Sequence, residues 1–254
     1  MFNAAIALIS KDVRRALRQK MRLLSTLSRP LLWLFVIGTG LGSVIQPLND
    51  YPYQTYLIPG LVGMVLLFGG ILSALTTALE KDFGTLRFLL IAPFSRGWII
   101  IFRALSAAII AIIYTLLFVL IILPFYFYPK EVDYSLLVMT IITSALLWGA
   151  FGMLLVVFSK TSENFSVIMN FVVFPLYFLS GGLYPLHNLP PIMKQVVQLN
   201  PFTYCVDMLQ HSMHLDGLAH YTVTMDIAVM LSAAFVFVFI AVILFLRKPY
   251  EELI

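Results

Sequence analysis

The sequence predicts an all-α membrane protein with six transmembrane helices, and three observations predict it. Of 254 residues, 61% are hydrophobic and 11% charged, with a mean hydropathy of +0.97; a soluble domain carries roughly 25% charge. Six apolar runs, about 30–47, 56–79, 98–123, 135–158, 165–183 and 223–246, come close to or exceed the ~20 residues that take an α-helix across ~30 Å of hydrocarbon. Threading the chain through them puts all but two of the Lys and Arg residues on one side, leaving Lys130 and Lys194 on the other. Basic residues stay on the cytoplasmic face, so both termini are expected there.

Residues 1–29 precede the first run. Ile6, Ile9, Val13, Leu17, Met21 and Leu24 recur at helical spacing, while Lys11, Arg14, Arg15, Arg18 and Arg22 take the other side, the pattern of a helix lying in the membrane interface. In the first span, Gly38 and Gly42 stand at the G-x-x-x-G spacing of close helix packing. The only charges inside the runs are Arg103 and Asp226, each near an end, where a long stem is expected to snorkel or a carboxylate to reach water. After the fifth span Gly181 and Gly182 end the apolar helix, Pro190 and Pro191 open a short one, and Asn200 before Pro201 reads as an N-cap with Pro at the first helical position. Two short external helices are therefore expected between the fifth and sixth spans.

Several chemistries are excluded or unsupported. There is no G-x-x-x-x-G-K-[ST] loop, so the chain does not hydrolyse nucleotide by that route. Leu179-Ser180-Gly181-Gly182 matches the letters of an ATPase signature but stands in apolar surroundings without a phosphate loop. The span centres hold no Asp, Glu or His to run an ion-coupled cycle. Cys205 has no partner cysteine. Asp207, His211 and His214 share a helical face, but three ligands without a fourth favour ordinary polar contacts over a metal, and no metal is assigned. The basic excess is accounted for by the membrane asymmetry and anionic lipid, with no nucleic-acid partner.

The most informative segment is 80–96, a charged stretch between two apolar runs that the basic-residue rule places in the cytoplasm. Gly84 breaks the emerging helix; Thr85 is expected to cap a new one with Leu86, Leu89 and Leu90 on its apolar side, until Pro93 stops it. The series Glu80, Asp82, Gly84, Thr85, Leu86, Leu89, Leu90, Pro93, Ser95 and Arg96 resembles the coupling-helix motif of ABC-2 type transporter permeases, with Arg87 where the family often has an acidic residue. The block from Leu179 through Gly181, Gly182, Pro185, Pro190, Asn200 and Pro201 to Tyr204 resembles that family's C-terminal signature, with Gln210 where Arg is frequent.

The resemblance spans essentially the whole chain as one domain, and what it implies is a non-enzymatic permease subunit of an ABC exporter. Two copies would pair with each other and with two cytoplasmic ABC ATPase subunits, which would bind the ATP and Mg; no cofactor is expected in this chain. Glu80, Asp82, Arg87 and Arg96 would make polar contacts around Leu86, Leu89 and Leu90 seated in the ATPase. The substrate path would run along the first, second and fifth spans, past Trp33, Phe35, Phe171, Phe174, Tyr177 and Phe178, and would suit a polysaccharide, lipo-oligosaccharide, lipid or drug. The expected location is the bacterial or archaeal inner membrane. The alternatives are an ABC-like lipid flippase or extractor that releases no cargo, and a membrane scaffold or enzyme.

Overall fold

The computed structural model describes residues 2–44, 51–86, 95–125, 131–186, 189–215 and 217–247. Among them the regular structure is helical. The elements are α1 (Phe2–Arg18), α2 (Lys20–Leu32), α3 (Tyr53–Asp82), α4 (Arg96–Ile122), α5 (Tyr134–Phe158), α6 (Ser162–Phe178), α7 (Pro191–Gln198), α8 (Pro201–Ser212) and α9 (Val223–Arg247). Among the described residues five helical stretches are long and apolar enough to cross a membrane: Lys20–Gly42, α3, α4, α5 and α9.

Helices in lipid gain little from hydrophobic association with one another, so their packing depends on close approach and dispersion. That explains the centre of the bundle, where α3 and α5 are almost wholly enclosed while α4, α9 and Lys20–Gly42 turn most of their surface outward. Small residues allow the enclosure. A Cβ on Gly149 of α5 would stand 2.4 Å from the Ala104 carbonyl of α4, and one on Gly152 would stand 3.1 Å from the Ile71 Cα of α3. Trp148, Phe118, Tyr114 and Leu67 fill the remaining space with exposures of 1% or less.

Hydrogen bonds fix which helix ends lie together. At one end the Lys81 Nζ donates to the Ser159 carbonyl at 3.1 Å and the Ser162 amide donates to Asp82 at 2.7 Å, joining the exit of α3 to the α5–α6 connection. We call this the basic end, because α1 packs there. At the opposite end Tyr51 and Tyr56 donate to the carbonyls of His214 and Gly181, and the Asp133 amide donates to the Ser212 carbonyl at 2.8 Å. Asp133 also caps α5, accepting from the amides of Ser135 and Leu136.

The described structure differs from four expectations. The interfacial helix does not run over 1–29: it ends at Arg18, and Gln19 leaves the helical region (φ −84°, ψ 68°). The first apolar run, expected at 30–47, therefore belongs to a helix that starts at Lys20 and continues through a π-helical stretch, Trp33–Gly38, to Gly42; 45–47 lie outside the described residues. Arg29 stood in the way of that reading, yet its guanidinium lies over the rings of Phe68 and Phe174, 5.3 and 5.7 Å from their centroids, which lets a cation sit against an apolar bundle. Pro30 provides no N–H for the ladder, and the wider π turns begin three residues later.

The fifth expected span, 165–183, also shifts. It is α6, 17 residues capped by the Thr161 hydroxyl and ended by Phe178, with Pro175 inside and Gly181 at φ +82° beyond. At ~1.5 Å per residue it rises about 26 Å, slightly less than the hydrocarbon thickness. Finally, Arg103 and Asp226 do not reach water: they are 3% and 0% exposed.

The contacts of Gly149 set a test. Gly149→Ala forces α4 and α5 apart and should cost about 1–3 kcal/mol, seen as a lower unfolding midpoint in detergent, whereas Gly40→Ala, with no atom within 4 Å of its Cβ, should leave the midpoint unchanged.

Candidate coupling surface and polar clusters

At the basic end the first structured feature is ionic. Arg103, on the second turn of α4, offers Nη2 to Glu80 Oε2 of α3 and Nη1 to Asp12 Oδ1 of α1 at 3.0 Å. Glu80 Oε1 in turn accepts from Arg15 at 2.6 Å and lies 3.8 Å from Lys11. Glu80, Asp12 and Arg103 are all buried, and burial pushes the Asp12 carboxyl above its ordinary range, with Arg103 pulling it back. This cluster accounts for the buried Arg103: its charge is matched by two carboxylates rather than carried to the surface. It also accounts for the packing of α1 on α4.

The segment expected to meet a partner is divided by the structure. α3 stops at Asp82, and Gly84 takes φ +66°, a conformation that favours glycine. The Thr85 hydroxyl donates back to the Glu80 carbonyl at 3.1 Å, so among the described residues it closes α3 rather than opening a new helix. Leu86 is 2% exposed, with Thr77, Ile99, Ile100, Val157 and Phe245 around it. Glu80 likewise points inward. Asp82 is exposed, and Phe83, which the sequence motif did not single out, is 77% exposed. Arg87, Leu89, Leu90 and Pro93 lie outside the described residues; Arg96 begins α4.

The aromatic residues fall into separate groups. Trp33 of the π stretch meets Phe178 of α6 edge-on at 6.2 Å, and Phe174 stacks on Phe178 at 6.4 Å. Phe171 and Phe178 are 78% and 41% exposed, whereas Tyr177 is 1% exposed and packs on Phe202 inside the bundle. Phe35 turns away to Phe125 at 4.7 Å.

At the opposite end Gly182 meets Gly60 of α3 main chain to main chain: a Cβ on Gly60 would lie 2.4 Å from the Gly182 carbonyl oxygen. Asn200 is a latch. Its amide donates to the carbonyls of Leu176 and Leu179 at 2.6 and 2.7 Å, and its oxygen accepts from the Phe202 amide at 2.9 Å. Gly181, Gly182, Asn200 and Pro201 are thus gathered around the exit of α6, with Pro185 and Pro190 on the connection and at the entry to α7. Nearby, Asp207, His211 and Asp226 place one ligand-type atom each within 4.8 Å of one another. His214, expected on the same helical face, lies beyond α8 in a turn at φ +46°, and Asp226 of α9 takes the place it was given. Separation in sequence concealed Asp226.

A family model described as ABC-2 type transporter matches residues 3–214. The chain is 27% identical over 184 residues to the inner membrane transport permease YadH of Escherichia coli K12, covering 69% of this chain and 68% of that one. It is 22% identical over 194 residues to nodulation protein J of Rhizobium leguminosarum bv. viciae, with 75% and 74% covered. A third relative, named a probable multidrug ABC transporter permease, YbhR of E. coli K12, is 26% identical over 157 residues, covering 61% of this chain and 43% of its own.

The ionic cluster can be tested by unbalancing it. Arg103→Met leaves two buried carboxylates without their main counter-charge and should cost about 3–5 kcal/mol; adding Asp12→Asn and Glu80→Gln should restore most of the loss in the same detergent unfolding assay.

Proposed function

Because the chain belongs to the ABC-2 type transporter family, we propose that this transport permease is the membrane half of an ATP-driven exporter. Two copies pair and receive two separately encoded cytoplasmic ATPase subunits, which bind the ATP and Mg. Both termini and the basic end face the cytoplasm, in agreement with the fourteen basic residues assigned to that side.

The observation that carries the reading is how the exit of α3 is tied to its neighbours. The coupling segment, 80–96, leaves α3 at Asp82, whose carboxylate holds the first amide of α6, while Glu80 two residues earlier holds α1 through Arg15 and α4 through Arg103. A push on the segment is therefore delivered to three helices at once. In this reading the exposed Phe83 meets the ATPase together with the expected contact residues Arg87, Leu89, Leu90 and Arg96, while the buried Glu80 and Leu86, one layer deeper, transmit displacement inward. Gly84 permits the reversal between the two layers.

The path for cargo follows the aromatic side of α6 and the π stretch, with Phe171 and Phe178 exposed on α6 and the partly buried Trp33 and Phe174 beside them. Uncharged rings suit an amphipathic cargo such as a lipid-linked sugar, a lipid or a hydrophobic drug, and the name of one relative, a probable multidrug ABC transporter permease, accords with the last of these.

Two experiments check this. Gly84→Asp with Leu89→Asp should abolish co-purification of the ATPase and its stimulated hydrolysis; unchanged association would overturn the assignment of 80–96. Phe171→Ala with Phe178→Ala should remove stimulation of ATP hydrolysis by cargo and leave the basal rate intact, whereas undiminished stimulation would take those rings out of the path.

A further inference from the structure

The Asp207, His211 and Asp226 cluster has no part in the transport reading, and its electrostatics are unfinished. Asp226 sits in the first turn of α9 with 0% exposure, and neither of its carboxylate oxygens has a hydrogen-bond donor among the described residues. An unaccompanied buried carboxylate is among the most costly arrangements a fold can hold. Its neighbour is a second carboxylate. Asp207, 3% exposed, is held by the amides of His220 and Tyr221 at 2.6 and 2.9 Å. His211 Nε2 lies 3.7 Å from Asp207 Oδ2 and, as N–H, donates to the Tyr221 carbonyl oxygen at 2.8 Å; a metal bound at Nε2 would take the place of that proton, which moves to Nδ1 of the neutral ring.

One place thus collects an imidazole nitrogen, two carboxylates and a backbone carbonyl. Tetrahedral zinc, with bonds of about 2.0–2.2 Å, needs ligand atoms roughly 3.4 Å apart. The 3.7 Å pair is already near that spacing, and the widest separation of the three side chains, up to 4.8 Å, closes with a movement of about 1 Å. A cavity of about 270 Å³, lined by Asp133, Gln210, His211 and His214, touches the cluster at His211. It is roomy enough to supply a water as a further ligand.

We propose that Asp207, His211 and Asp226 bind a divalent transition-metal ion of the zinc class, which fastens the start of α9 to α8. The ion would supply the positive charge that two adjoining buried carboxylates lack, and the mixed nitrogen and oxygen donors select zinc over magnesium or calcium, which prefer all-oxygen shells. Asp207 is the preorganised ligand, oriented by two backbone amides. Asp226 is the one that gains most. This inference is independent of cargo and of the ATPase.

The test uses tag-free, full-length protein in detergent, stripped with chelator and re-equilibrated with Zn²⁺ at neutral pH, with metal content and unfolding midpoint measured together. Wild type and His220→Ala, which keeps the amide bonded to Asp207, should each retain one zinc per chain and unfold at a higher temperature with it; Mg²⁺ should give neither effect. Asp226→Asn and His211→Gln should bind zinc at least tenfold more weakly and lose the shift. Folding is checked by size exclusion, and His211, partly exposed, serves if the Asp226 variant fails it. Wild type that takes up no zinc, or variants that bind as wild type does, would overturn the proposal in favour of two carboxyls sharing a proton.

Discussion

Arg103 is the residue on which the architecture of the basic end depends. A guanidinium buried among apolar helices would be intolerable alone, and the chain meets this by bringing Asp12 from α1 and Glu80 from α3 to its two nitrogens. The requirement works in both directions. Arg103 is the counter-charge both buried carboxylates share, so three segments far apart in sequence are held to one geometry by charge matching. Arg15 and Lys11 complete the set from the rim. The helix at the N-terminus, which a membrane surface alone would leave free to slide, is thereby docked at a fixed point on the bundle.

The two ends of the molecule are secured by different physics. The basic end relies on ion pairs and on side chains that reach carbonyl and amide groups, such as Lys81 to Ser159 and Asp82 to Ser162. The opposite end relies on close backbone approach and neutral hydrogen bonds: Gly60 against Gly182, Tyr56 to Gly181, and Asn200 to two carbonyls left open by the end of α6. Between them the bundle has little polar to offer, and small residues of α3, α4 and α5 set the helix spacing.

Much of this was legible in the sequence, for reasons that differ by element. α3, α4, α5 and α9 were recognisable because each is a single apolar run bounded by polar residues. The first span was misplaced because its opening turns carry Lys20, Arg22 and Arg29, and nothing local says that two aromatic rings from other helices receive Arg29. Pro30 was the available sign of the π stretch. Gly84, Asn200 and Pro201 were readable because the backbone conformation or cap they provide is local. The inward turn of Glu80 and Leu86, the charge partners of Arg103, and the meeting of Asp226 with Asp207 were not, since each depends on a contact between residues distant in the chain.

The helix α6 is pinned at both extremities, by Asp82 at its first amide and by Asn200 at its last open carbonyls, while Phe171 midway along it is mostly bare. A rod clamped in this way cannot slide along its axis. What remains to it is bowing or twisting about that axis, and Pro175, where one rung of the ladder is missing, lies between the bare middle and the upper clamp. A displacement at the Asp82 clamp would thus reach α6 as a bow or twist rather than a slide, borne on one side by the buried Met169 and Val173 and open on the other at Phe171.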